Sequence, residues 1–217
     1  MRVVVTAGPT REPIDPVRYI SNRSSGKMGY ALAQAALESG HEVTLISGPT
    51  ALESPSGAKF VAITTSNEIF DAVHEHVQNC DVLVMCAAVS DYKPREMAAQ
   101  KLEKRTGLFA LELTKTRDIL ASLPKRDRSY VVVGFAAQTH ELEENARRKL
   151  SAKNCDMIVA NDVSRSDRGM ESDENEVTIF VRDEEPRVIS RAQKIIIARE
   201  ILKIVFEFAK KTLTKNF

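Results

Sequence analysis

Three groups of residues in this 217-residue chain carry side chains suited to handling anions. The first is the stretch AGPTREPIDPVRYISNRSSGKMG, in which Ser24, Ser25 and Gly26 stand directly before an apolar helical pattern. Hydroxyls, backbone N–H groups and the positive end of a helix dipole gathered at one point make a phosphate cradle. Serine also caps helices for structural reasons, so both readings stand at this point. Roughly seventeen residues separate Gly8 from Gly26, and they include Arg11, Glu12, Asp15, Arg18 and Asn22. A loop that long in a compact domain is expected to work rather than only connect.

The second group opens at Asp91 and Tyr92, after the run CAAVSDY, and continues through KPREMAAQKLEKRTG with Lys93, Arg95, Lys101, Lys104 and Arg105. It reads as a charged flap over residues 93–107 or as an ordinary solvated loop. The third group is ARRKLSAKN, where Lys149 and Lys153 are four apart and share a helix face. Two ammonium groups one turn apart repel by a few tenths of a kcal/mol, which a polyphosphate between them would offset.

The elements that must position these groups alternate. Apolar, β-branched runs at 2–6, 42–47, 59–64, 81–89, 130–135 and 156–161 predict strands. Helical patterns fall at about 26–39, 67–78, 116–122 and 141–153. Strands apolar nearly throughout belong to a sheet covered on both faces, so the pattern predicts an α/β fold with a doubly wound, mostly parallel, Rossmann-like sheet. Such sheets bind ligands beyond the C-terminal ends of their strands, which places the chemistry in the loops after Thr6, Ile46, Ala87, Phe135 and Asn161. The tail changes character: VTIFV at 177–181 and RVI at 187–189 flank an acidic turn and predict a β-hairpin extension. An amphipathic closing helix follows over 191–211.

Composition narrows the function. With 31 Lys+Arg against 30 Asp+Glu the formal charge is +1, which favours neither a nucleic-acid partner nor an acidic membrane surface. The apolar start of the chain is too short for a signal-peptide core and no run reaches membrane-spanning length, so a cytoplasmic location is expected. Cys80, Cys86 and Cys155 sit in or beside apolar runs and read as small core residues. An NAD(P)-linked oxidoreductase fits poorly: the glycine fingerprint is missing, the second strand ends LISGP without an acid for a ribose, and no Tyr-xxx-Lys pair occurs. A non-catalytic nucleotide-binding module is the other alternative.

Taken together, TAGPTREPIDPVRYISNRSSGKMG, CAAVSDYKP, AAQKLEK, VVGFAAQT, ARRKLSAKN and VANDVS resemble phosphopantothenoylcysteine synthetase over about residues 1–180. The closer likeness is to the bacterial, CTP-using type. The resemblance implies a single domain that joins 4'-phosphopantothenate to L-cysteine. CTP, rather than ATP, would convert the carboxylate to an acyl-cytidylate and release pyrophosphate, with Mg2+ as companion ion; the cysteine amine would then displace CMP. By matched motif it assigns catalytic roles to Asn22, which handles the intermediate, and Lys101, the flap lysine. Nucleotide contacts are implied at Ser24, Ser25, Gly26, Met85, Cys86, Ala87, Asp91, Lys101, Arg117, Asp118, Ile119, Leu120, Phe135, Lys149 and Lys153. Metal ligands are not implied. This chain departs from the family in Glu103, where many relatives carry a lysine, and in Thr116-Arg117-Asp118, where relatives often show Asn-Pro-Asp. The likeness also implies a homodimer, with Leu108–Thr114 as a pairing strand. Many bacterial relatives carry a flavin-dependent decarboxylase before this domain. Here the sequence opens on the first strand, which fits either a stand-alone chain, with that enzyme as a separate partner, or a domain excised from a longer protein.

Overall fold

The computed structural model describes residues 1–104, 106–125, 128–138, 141–162 and 172–213. Arg105 of the flap, Thr139 of VVGFAAQT, and Val163 and Ser164 of VANDVS lie outside the described residues. So does most of the loose stretch expected at 164–175.

Strand β1 (Arg2–Ala7) is an interior strand, third from one edge of an eight-stranded sheet. On one side it pairs in parallel with β4 (Glu42–Ser47), which pairs with the edge strand β5 (Lys59–Ala62). On the other it pairs with β6 (Val82–Met85), then β9 (Val131–Gln138) and β10 (Met157–Asp162), all parallel. The chain reverses its direction of travel across the sheet between β1 and β6, and that reversal opens a crevice at the strand C-termini.

The sheet is covered on both faces, as its apolar strands require. On one face Val3, Val5, Val84, Val133 and Val159 pack against α1 (Lys27–Glu38) and α5 (Lys194–Leu213), burying Leu32, Ile197, Ile201 and Val205. On the other, Val4, Leu83, Val132 and Ile158 meet α2 (Ser66–Val77), α3 (Ile119–Ser122) and α4 (Leu142–Ala152) through Ile69, Val73, Ile119 and Leu150. Helix α2 starts where Thr65 Oγ1 accepts the Glu68 N–H and Glu68 Oε2 accepts the Thr65 N–H, a reciprocal cap.

Beyond β10 come β11 (Glu174–Val181) and β12 (Arg187–Gln193), both antiparallel, which form the expected hairpin edge. The closing helix begins at Lys194 rather than 191, because Ala192 and Gln193 still pair with Asn175 and Glu174. The helix expected over 116–122 shrinks to α3, since Asp118 in extended conformation accepts the Ala121 N–H and fixes the start. The strand expected at 81–89 also ends early, at Met85. There the buried Thr6 hydroxyl accepts the N–H groups of Cys86 (3.1 Å) and Ala87 (3.0 Å), drawing the chain out of the ladder.

Two small ribbons sit over the rim: β2 (Glu12–Pro13) with β3 (Tyr19–Ile20), and β7 (Tyr92–Pro94) with β8 (Leu113–Lys115). The second ribbon is the stem of the flap. Among the described residues no helix is long and apolar enough to cross a membrane. Cys80 and Cys155 are buried and Cys86 is partly so; burial pushes all three thiols up to about 12, so they remain protonated and act as small apolar groups.

Candidate active site

The site is built where Gly8, Pro9 and Thr10 leave β1. Pro9 bridges to Ala88, Ala88 N–H donates to Gly8 O (2.9 Å), and Thr10 N–H donates to Ala88 O (3.1 Å). Asn22 Nδ2 donates to that same Ala88 carbonyl at 2.6 Å, while its Oδ1 accepts the Ser24 N–H at 3.1 Å. The long loop therefore ends pinned to the segment that follows β6, with Asn22 as the pin. Its middle is fastened too: the buried carboxylate of Glu12 accepts the Ser66 N–H (2.8 Å) and hydroxyl (3.0 Å) at the start of α2.

Two clefts flank this seam and share Ala87, Ala88, Phe135 and Ala137. The smaller, about 140 Å³, lies on the α1 side and is lined by Ser24, Gly26, Lys27, Asn161, Asn175 and Lys194. Gly26 has φ +79°, a left-handed value that glycine adopts without strain, and it starts α1 with no side-chain cap. Ser24 and Ser25 hydroxyls stand 3.4 and 3.5 Å from the N–H groups of Gly26 and Lys27. Those contacts are at the long limit of hydrogen bonding. Burial pushes the Lys194 ammonium down from its usual value, as does Lys27, whereas Asp173 pulls it up.

The larger cleft, about 710 Å³, opens on the α4 side and is lined by Asn22, Met85, Asp91, Arg117 to Leu120, Lys149 and Lys153, among others. Lys149 is held below the usual lysine value by burial, which outweighs the pull of Asp91; Lys153 and Arg148 push the same way. The repulsion expected between Lys149 and Lys153 is offset in part inside the protein itself, because Lys153 Nζ pairs with Asp118 Oδ2. That leaves Lys149 as the ammonium turned to the cleft without such a partner among the described contacts. Arg117 lines the rim, yet its guanidinium stacks 3.8 Å over the Phe70 ring and donates to Asp71 (2.9 Å) and the Asn67 carbonyl (3.2 Å). Its charge faces α2, so its place in the cleft is that of a clamp on the loop carrying Asp118.

The structure thus brings Asn22, Ser24, Gly26, Met85, Cys86, Ala87, Asp91, Asp118, Ile119, Leu120, Phe135, Lys149 and Lys153 to one rim. Ser25 adjoins them in the loop. Lys101 is not among the residues lining either cleft; it is exposed on the flap. Thr6, Asp15 and Gly48 shape this rim and were not singled out as site residues, since each acts through partners distant in sequence.

A mostly parallel sheet with a two-sided crevice and cationic walls is a setting for joining anions, and comparisons with known proteins narrow it. The family model for the DNA/pantothenate metabolism flavoprotein C-terminal domain matches residues 1–208. The chain is 44% identical over 211 residues to the coenzyme A biosynthesis bifunctional protein CoaBC of Bacillus subtilis (strain 168), covering 97% of this chain and 52% of that protein. It is 42% identical over 216 residues to CoaBC of Escherichia coli (strain K12), covering 97% and 53% respectively. The chain therefore spans about half the length of the curated relatives it matches. The crystal structure of the C-terminal domain of CoaBC superposes with TM-score 0.82 at 41% identity, covering 97% of this chain and 96% of that one. A Cab2 mutant in complex with phosphopantothenate-cysteine shares the fold at TM-score 0.82 and 16% identity, covering 99% and 88%. In agreement with the motifs quoted above, the chain belongs to the family of the DNA/pantothenate metabolism flavoprotein C-terminal domain.

Proposed function

We propose that this protein is a phosphopantothenate–cysteine ligase of coenzyme A biosynthesis, and that CTP activates the carboxylate. A carboxylate oxygen of 4'-phosphopantothenate attacks the α-phosphorus of CTP, the bond to the β-phosphate breaks, and pyrophosphate leaves. The amine of L-cysteine then attacks the acyl carbon of the mixed anhydride and CMP departs. The observation that carries this reading is the pair of clefts meeting at Ala87 and Ala88 with Asn22 at the seam, which suits two ligands that must touch end to end.

In this reading the nucleoside occupies the larger cleft, with Asp91, Phe135, Lys149 and Lys153 around it and the loop carrying Arg117, Asp118, Ile119 and Leu120 as its far wall. The phosphates are drawn toward Ser24, Ser25 and Gly26, where the first turn of α1 presents its positive end. Met85, Cys86 and Ala87 contribute backbone at the strand tip. Asn22 hydrogen-bonds the intermediate, and Lys101 offsets charge at the reacting phosphate. Magnesium in such reactions is held by one or two carboxylates and by substrate phosphates rather than by a protein cage. Among the described residues no three His, Cys, Asp or Glu side chains gather to hold an ion. Asp118 is engaged by Ala121 and Lys153, so Asp91 is the lining carboxylate that fits. Bound there, the ion would neutralise phosphate charge.

Purified protein given 4'-phosphopantothenate and L-cysteine is expected to release pyrophosphate and CMP with CTP, and at least tenfold less product with ATP. Equal turnover of both nucleotides would remove the cytidine preference; turnover of neither would remove the ligase reading.

A second copy of the chain is the partner this reading calls for. Leu108 is fully exposed and Phe109 and Leu113 are about half exposed, three large apolar side chains within six positions on the flap and its stem. Sedimentation is expected to give twice the chain mass of 24.1 kDa, and Phe109→Asp to shift it toward one chain mass. A wild-type monomer at micromolar concentration would refute the pairing.

A further inference from the structure

We propose that Asp15 is the positioning residue for Lys101, clamping the flap's backbone so that the lysine is presented from a fixed anchor. The inference rests on the ligase reading above, in which Lys101 serves the activation step. The Asp15 side chain is fully enclosed. Its Oδ1 accepts the N–H groups of Val17 and Arg18, both at 2.8 Å, which shapes the local turn. Oδ2 accepts from Arg18 Nε (2.9 Å) and Nη2 (2.6 Å), and also from the N–H of Leu102 at 3.1 Å, 87 positions away. Arg18 Nη2 donates in turn to the Leu102 carbonyl at 2.6 Å, and the Ala98 N–H donates to the Ile14 carbonyl at 3.0 Å.

Both backbone polar groups of Leu102 are therefore taken up by one ion pair, and the peptide bond that joins it to Lys101 is held against the 14–18 loop. A turn-forming aspartate needs only one oxygen for its own backbone; here the second oxygen is spent on the flap. Burial pushes the Asp15 carboxyl up, but Arg18 and the three N–H donors outweigh it and hold it well below the usual carboxylate range, so the clamp stays charged at neutral pH. Lifting Leu102 away would strip an enclosed carboxylate of a donor, a costly event to repeat at each turnover. The flap's backbone is thus tied to the 14–18 loop at Leu102, directly beside Lys101.

Asp15→Asn sets an amide donor against the donors of Arg18 and Leu102 and tests this in two ways. Trypsin cleaves after lysine, so the Lys101–Leu102 bond is its own reporter: cleavage there, followed by mass spectrometry, should speed up about tenfold or more in Asp15→Asn. In rapid-quench assays the variant should lose about tenfold or more in the rate of pyrophosphate release, with KM for CTP changed less than about threefold. In a Lys101→Ala background the same change at position 15 should cost less than about twofold. Should Asp15→Asn not fold, Arg18→Gln removes the guanidinium that pairs with Asp15 and holds the Leu102 carbonyl, leaves the Lys101–Leu102 bond open to trypsin, and must show the same dependence on Lys101. Unchanged cleavage at the Lys101–Leu102 bond, or equal losses with and without Lys101, overturns the proposal. The proteolysis arm needs no turnover, so an inactive wild type would sink the ligase reading while still deciding whether the clamp exists.

Discussion

Lys101→Ala is expected to slow pyrophosphate release by about 100- to 1000-fold, the usual loss when one preorganised charge-stabilising donor is removed from a transition state. The reaction brings a carboxylate and a triphosphate together, and a compact ammonium can offset the charge that builds as the α-phosphorus is attacked. Lys101 is exposed and bears no ion pair in the described structure, so alanine should leave the fold intact, with circular dichroism and melting unchanged. The second half-reaction supplies the control. Acyl-cytidylate made separately and given to the variant with cysteine should yield product at close to the wild-type rate. A single-turnover experiment with normal activation in Lys101→Ala would strip the residue of this role. A loss confined to the cysteine step would move it to the other half of the reaction.

The second large effect concerns a glycine far from any charge. Gly48 follows β4, and a Cβ placed on it would lie 1.8 Å from the Pro9 carbonyl oxygen and 2.8 Å from the Pro9 carbonyl carbon, both backbone atoms with no rotamer to yield. Gly48→Ala must displace Pro9. Pro9 is bridged to Ala88, and Ala88 holds Asn22, so the disturbance runs straight to the seam between the two clefts. Overpacking costs typically 1–3 kcal/mol and occasionally more. Contact at this distance belongs at the upper end, about 3 kcal/mol, which for a chain of this length lowers Tm by roughly 6–12 °C. Activity should fall with it, in KM as well as kcat. Melting within about 2 °C of wild type would mean that Pro9 gives way freely and the rim is softer than its hydrogen bonds suggest.

Much of this fold is legible in the chain because the signals are local. Continuous β-branched apolar runs such as VLVM and VVVGF fit strands covered on both sides, and the acidic turn between VTIFV and RVI marks the hairpin at the edge. Element ends were harder. Nothing within a few residues of Cys86 says that the strand stops at Met85; the cause is the hydroxyl of Thr6, 80 positions earlier. Likewise Arg191, Ala192 and Gln193 suit a helix by composition, but the ladder with Glu174 and Asn175 claims them first.

The site divides in the same way. Ser24, Gly26 and Asp91 stand at a helix start or just past a strand tip, where such sheets gather ligands, whereas Lys149 is reached only through its spacing from Lys153. The spacing of Lys149 and Lys153 suggested a shared polyphosphate, whereas only the folded chain reveals that Asp118 already answers Lys153. Arg117 is a nucleotide contact only by the resemblance, at a point where this chain departs from the family's pattern; in the structure its guanidinium stacks on Phe70 while the residue lines the larger cleft. Asp15 lies inside the long first motif, but its tie to the flap is not visible there, since it depends on a residue 87 positions further on.

The wall common to the two clefts is made of Ala87, Ala88, Phe135 and Ala137, three of them alanines on or beside rigid strand ends. A partition that thin is an opening for chemistry from outside the cell's own repertoire. Two weak fragments, one seated on each side, could be joined by a linker that passes over methyl groups rather than around a bulky side chain. The gain would come from effective concentration, since the second fragment would arrive already tethered, and affinity could exceed that of either half by 100-fold or more, on the order of what well-matched bivalent ligands achieve.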